Sequence, residues 1–142
     1  MSTSHTLLGF DFGMKRIGVA IGQTITKTAR PLTTLAAREG LPDRGEIRAL
    51  FDKWHPDACV VGIPLNMDGT EQPVTIAARA FQQWLAEQFQ IPVHAMDERL
   101  STRSAREQIF STGGFRALKN AEVDSLAAQI ILQDWLTQDS ST

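Results

Sequence analysis

A single cysteine among 142 residues removes two broad classes of protein at once. Cys59 has no partner for an internal disulfide, and there is no thiolate set to hold a metal. It sits in the apolar run Ala58-Cys59-Val60-Val61, where a small hydrophobe in a buried strand is the expected use. A cytoplasmic location is the simplest fit. Long apolar runs are missing too: none approaches the roughly 20 residues that a membrane span needs, so no membrane partner is expected. Met1 to His5 lacks the charged and apolar blocks of a signal peptide. Neither sign of charge dominates, with 14 basic against 16 acidic residues and a net charge of −2. That balance argues against coating nucleic acid through a strong global field, but it permits a local basic stripe beside an acidic site. The histidines, His5, His55 and His94, have no spacing resembling a zinc site. They are expected to be incidental, with His94 nearest the centre described below. No internal repeat, low-complexity tract or linker interrupts the chain.

What remains is ordinary globular composition, 42% hydrophobic and 21% charged. The length suits one domain over 1–142, with 1–5 and 138–142 as frayed tails, and leaves no room for two domains around a cleft. Two short apolar runs, Thr6–Phe12 and Ile17–Ile21, flank Gly13-Met14-Lys15-Arg16 and read as an antiparallel pair. Ile25–Arg30 would add a third strand before Pro31. Ile47, Leu50, Phe51 and Trp54 mark a helix from about Pro42 to Trp54, stopped by His55-Pro56-Asp57. Ala58–Ile63 is continuously apolar, as in a strand buried on both faces. After a loop from Pro64 to Gln72, Val74, Ala77, Ala78, Phe81, Trp84, Leu85 and Phe89 form a helical stripe. Gln90–Met96 is a further strand. Two helices, roughly Thr102–Ser111 and Ala121–Leu136, close the chain around a glycine-bearing loop, Thr112–Asn120. The order β-β-β-α-β-α-β-α-α predicts an α/β fold with a mixed five-stranded sheet, an antiparallel meander then parallel strands, flanked by helices. This arrangement resembles the ribonuclease H-like fold.

Acids stand where acids are expensive. Asp11 interrupts Leu7-Leu8-Gly9-Phe10-Asp11-Phe12-Gly13, and a carboxylate inside an apolar strand loses hydration unless something compensates. A turn cap, or pairing with Lys15 or Arg16, is the structural alternative. Asp124 shares a helical face with Ala127, Ala128, Ile131 and Trp135 beside the apolar stripe Val123, Leu126, Ile130. The helix dipole contributes only about 0.3–1 kcal/mol there, too little to offset burial without another positive charge such as a metal ion. The alanines would let this helix approach the sheet. Asp97-Glu98 ends a strand, where ligands of open α/β sheets collect. Acids converging from these three places would suit hard cations, Mg²⁺ or Mn²⁺.

Four segments carry a resemblance that spans nearly the whole chain. Gly9-Phe10-Asp11-Phe12-Gly13-Met14-Lys15-Arg16-Ile17-Gly18-Val19-Ala20 looks like the opening motif of the bacterial YqgF family. These are Holliday-junction-resolvase-like proteins, also described as pre-16S rRNA nucleases. Val61-Gly62-Ile63-Pro64-Leu65-Asn66-Met67-Asp68-Gly69-Thr70 resembles the family's central loop. Asp97-Glu98-Arg99-Leu100-Ser101-Thr102 and Val123-Asp124-Ser125-Leu126-Ala127-Ala128 resemble its third and closing motifs. The resemblance implies a metal-dependent nuclease with an Asp, Glu, Asp triad at Asp11, Glu98 and Asp124, and it alone prefers Glu98 to Asp97. Met14 departs from the pattern, standing where Thr or Ser is more usual.

Two divalent ions about 3.5–4 Å apart would activate water and neutralise the leaving oxygen. Asp11 would bridge them, with Glu98 and Asp124 holding one each. Arg99, Arg103 and Arg106 fall on one helical face, and Arg116 and Lys119 precede Asp124. These five, with Lys15, Arg16 and Asn66, are the candidate substrate contacts, positioning phosphates without reading sequence. For the arginines the alternative is a solvated face partly paired with Glu107. Ser104 and Glu107 fit a capping box. Asn66, Asp68 and Thr70 would either touch substrate or shape a turn, and Gly113-Gly114 would let the loop before Asp124 act as a flap. The expected partner is nucleic acid, precursor rRNA ahead of branched DNA, bound by a monomer or weak dimer. A non-catalytic binding module on the same fold is the main competitor. An actin-like sugar kinase, suggested by the Asp-x-Gly hairpin, would need a second domain.

Overall fold

Alternation in the leading strands decides the layering. In Thr6–Asp11 (β1) and Arg16–Gln23 (β2), Leu8, Phe10, Ile17, Val19 and Ile21 point one way, while Gly9, Gly18, Ala20 and Gly22 are among the residues that point the other. One face of the sheet therefore presents bulk and the other a shallow surface that a helix can approach closely. The computed structural model describes residues 5–66, 68–97 and 120–139. Within them, Thr28–Arg38 (β3), Leu41–Pro42 (β4), Ala58–Ile63 (β5) and Val93–Asp97 (β6) join β1 and β2. The six-stranded sheet has the order β4-β3-β2-β1-β5-β6. β1 is central, antiparallel to β2 and parallel to β5, and β6 extends the parallel side.

Leu8, Phe10, Phe12, Ile17, Val19, Ile21, Cys59, Val61 and Ile63 bury against helices Arg44–Trp54 (α1) and Pro73–Phe89 (α2), chiefly Ile47, Phe51, Ala78, Phe81 and Leu85. Burial among these side chains pushes the Cys59 thiol pKa far up, since a thiolate there would lose its hydration. On the opposite face Leu7, Ala20, Ala58, Val60 and Met96 pack against Ala128, Ile131, Leu132 and Leu136 of Asn120–Asp139 (α3).

The local signals explain the boundaries. Asp43 caps α1, its Oδ1 accepting from the Gly45 and Glu46 amides, and His55 ends the helix in a left-handed conformation. Pro73 opens α2, whose buried Thr75 accepts from the Gln72 amide and donates to the Pro64 carbonyl. Gln90, expected to begin a strand, instead caps α2 in a left-handed conformation, so β6 starts at Val93.

Two expectations for the meander change. The sheet has six strands rather than five, because the two-residue β4 pairs Leu41 and Pro42 with Arg38 and Ala37. The third strand starts at Thr28 rather than Ile25 and runs through Pro31 to Arg38. A bulge makes this possible: Val19 pairs Thr33 while the next residue, Ala20, pairs Pro31, leaving Leu32 as the extra residue. A proline is tolerated at such an irregularity because the ladder does not require its missing N–H. The outer edge of β3 is covered from α3, where Gln133 accepts from the Ala29 amide and Gln129 donates to the Ala29 carbonyl. Among the described residues no helix is long and apolar enough to cross a membrane. The expected helix Thr102–Ser111, its Ser104–Glu107 cap and the loop with Gly113-Gly114 lie outside the described residues.

Candidate active site

Asp11 is the last residue of the central strand, and its neighbours across the sheet are unusually small. It pairs with Gly18 on β2 and Gly62 on β5; Gly18 pairs in turn with Thr34, and Gly62 with Met96. Residues in register share a face, so Thr34, Gly18, Asp11, Gly62 and Met96 form one row. Leu7 and Met96 identify that face, since both pack into the α3 cluster. Asp11 is partly buried there, at the carboxyl ends of the parallel strands.

Helix α3 reaches the same row. A Cβ built on Gly18 would stand 1.9 Å from the Asp124 carbonyl oxygen and 3.0 Å from the Ser125 nitrogen. Two rows away, a Cβ on Gly9 would fall 2.7 Å from Leu132 Cβ. The first turns of α3 thus rest directly on strand backbone. Opposed Cβ positions in an antiparallel pair are only about 4.5–5.5 Å apart, so Asp11 projects beside the spot where Asp124 lies. The two acids therefore stand at one corner of one face.

Asp124 is not on the buried stripe itself. That stripe runs through Ser125, Ala128, Ile131, Leu132 and Leu136, and the Asp124 side chain borders it at 23% exposure. The positive charge that such a position calls for is supplied by Arg16, whose Nε donates to Asp124 Oδ2 at 2.8 Å. Arg16 thus faces the helix acid rather than standing apart from the site. Lys15 is exposed at the hairpin, where its carbonyl accepts from the Ala37 amide.

Asn66 lies on the loop that leaves β5 at this same end of the sheet. Its amide side chain donates to Thr70 Oγ1 at 2.9 Å, and Asp68 Oδ1 accepts from both the Thr70 amide and hydroxyl. Asn66, Asp68 and Thr70 therefore hold the turn together, around Gly69 at φ +90°. His94 belongs elsewhere. It stacks on Trp135 at 4.9 Å between ring centres and lines a separate cleft with His5, Leu7, Thr24 and Asp57.

Strand parity bears on the third acid. Val93, which packs against the α1/α2 cluster, and Asp97 share one parity, whereas His94 and Met96 have the other. Asp97 is in register with Ile63 of that same cluster, so it stands off the parity that carries Asp11. Glu98, Arg99, Arg103, Arg106, Arg116 and Lys119 lie outside the described residues. Among the described residues no three His, Cys, Asp or Glu gather closely enough to hold an ion. Asp11 and Asp124, the two acids placed at that corner, carry hard oxygen donors, and that chemistry fits Mg²⁺ or Mn²⁺.

A mixed sheet with an acid ending its central strand, and a second acid on the helix laid across that face, defines a ribonuclease H-like core. Solved structures share the fold. Thermus thermophilus RuvC in complex with a Holliday junction substrate aligns with a TM-score of 0.59 at 18% identity, covering 97% of each chain. The yeast mitochondrial Holliday junction resolvase Ydc2 aligns with a TM-score of 0.54 at 11% identity, over 94% of this chain and 78% of that one. The chain belongs to the RuvX family of Holliday junction resolvases, whose model matches residues 5–138, and so to a family of nucleases that break phosphodiester bonds. It is 54% identical to a Pectobacterium carotovorum protein named "Putative pre-16S rRNA nuclease", over 93% of this chain and 95% of that protein. A Cronobacter sakazakii protein of the same name is 55% identical over 95% and 98%.

The reading from sequence missed the glycines of the α3 face. Gly9, Gly18 and Gly22 lie at alternating positions within two strands, which is the signature of a close helix approach. It offered Arg16 as a possible partner of Asp11, whereas Arg16 pairs with Asp124.

Proposed function

We propose that this protein is a cytoplasmic, divalent-metal-dependent endonuclease that processes the 16S rRNA precursor, with Asp11, Glu98 and Asp124 as its acids. The observation that carries this reading is the shared corner of Asp11 and Asp124, reached from a central strand and from a helix resting on Gly18. The parity of Asp97 supports Glu98 as the third member. The names of relatives more than 50% identical over nearly their whole length support the RNA substrate.

Each residue has a distinct task. Asp11, held by the strand register, offers a fixed oxygen donor. Asp124 brings a second from a helix whose position the sheet determines. Bound ions, two in the scheme favoured here, would supply a nucleophilic water and neutralise the leaving oxygen. Lys15 and Arg16 on the hairpin, with Arg99, Arg103, Arg106, Arg116 and Lys119, provide cations for the phosphate backbone. Asn66 contributes by shaping the loop at the rim of the site.

A second reading, cleavage of branched DNA, is favoured by the family to which the chain belongs and by the junction-bound RuvC of the same fold. The two are separated by presenting a precursor rRNA and a four-way DNA junction to the same protein with Mg²⁺ or Mn²⁺. Preferential cleavage of the RNA is expected. Cleavage of the junction alone would transfer the assignment to DNA, and binding of either without cleavage would favour a non-catalytic module.

A further inference from the structure

Arg16 is placed to do more than screen a helix acid. It opens β2, two residues before the glycine on which Asp124 lies, so register and helix packing together fix the pair. The contact is made through Nε alone, and the side chain is 46% exposed. A guanidinium has five N–H donors. Among the described residues, the donors beyond Nε make no other hydrogen bond.

We propose that Asp124 exchanges partners: Arg16 neutralises it in the metal-free protein, and on metal loading the guanidinium is released to the phosphodiester of the substrate. The proposal rests on the metal-dependent reading above. A partly exposed ion pair is weak enough to open. A guanidinium and a divalent ion on one carboxylate repel each other at this range, and more so where solvent is partly excluded. A phosphate oxygen relieves that repulsion by giving the displaced cation a bidentate partner. Arg16 is then a substrate contact whose release couples metal binding to substrate binding.

Mn²⁺ binding to the full chain without nucleic acid, followed through the spectrum of the free ion, tests the exchange. Removing the competing cation in Arg16→Gln is expected to tighten Mn²⁺ binding about fivefold, with Arg16→Lys between it and the wild type. Asp124→Asn is expected to weaken it. A single-stranded RNA probe gives the complementary readout: Arg16→Gln should lose about fivefold in affinity when Ca²⁺ is present, and much less in EDTA. If Arg16→Gln binds Mn²⁺ no more tightly than the wild type while Asp124→Asn still weakens it, the exchange is wrong and the metal site stands. If Asp124→Asn leaves Mn²⁺ binding unchanged, or no Mn²⁺ binds, the exchange and the metal-dependent reading fall together. Circular dichroism of each variant shows whether a change reflects misfolding, and the charge-retaining lysine separates loss of charge from loss of shape.

Discussion

Gly18→Ala is expected to cost more stability than any other single-methyl addition among the described residues, and to lower cleavage at least about a hundredfold. The new methyl would sit 1.9 Å from a backbone carbonyl oxygen and 2.3 Å from its carbon, neither of which can rotate away. Either α3 lifts from the sheet or β2 bends, and both separate Asp124 from Asp11. Overpacking typically costs 1–3 kcal/mol, and a backbone obstacle belongs at or above about 3. Gly22→Ala is the control. Its methyl would meet the ends of Leu132 and Leu136 and the Thr28 carbonyl, all at 3.0 Å. At 3.0 Å the two side-chain ends and the carbonyl need give by only a few tenths of an ångström, so a smaller loss in chemical denaturation and near-normal cleavage are expected. Equal effects at the two positions would show that Asp124 is not placed by this contact.

The second large effect concerns chemistry rather than packing. Asp11→Asn keeps the shape of the side chain and removes its charge at the end of β1. Cleavage is expected to fall by about a hundredfold to a thousandfold, the range seen when one preorganised electrostatic group is removed from a site. Stability should change little, because the amide makes comparable van der Waals contact and no longer needs its charge compensated. A folded, cooperatively unfolding Asp11→Asn that cleaves like the wild type would remove Asp11 from the acid set. Substrate binding measured beside cleavage separates a defect in chemistry from one in docking.

The two acids were legible in the sequence for physical reasons. A carboxylate in Leu7–Phe12 and another beside an apolar helical stripe both need compensation, and periodicity is enough to notice that. The layering was legible too, since β5 is continuously apolar and α1 and α2 carry clear stripes. What was not legible is the relation between distant segments. That Asp11 lies opposite Gly18, and that Asp124 rests on the same glycine, depends on a register and a helix docking set by contacts far apart in sequence. The expected face of α3 shares Ala128 and Ile131 with the buried line, but its edge is not marked, because Val123, Leu126 and Ala127 make that helix apolar nearly all round. Its buried line through Ser125, Ala128, Leu132 and Leu136 therefore does not stand out. Pro31 hid the length of β3, since the bulge that accommodates it is a property of the pairing with β2. The pairing of Arg16 with Asp124, 108 residues away in sequence, has no local signature.

The central claim is that Asp11 and Asp124 form one metal-dependent cleavage site. The most direct measurement is single-turnover cleavage of a precursor rRNA by metal-stripped protein as Mg²⁺ is restored, with Asp124→Asn alongside. Cleavage that is absent in EDTA, returns with Mg²⁺ in the wild type and fails to return in Asp124→Asn is the expected result. Cleavage that persists without metal, or that Asp124→Asn restores as fully as the wild type does, would contradict it.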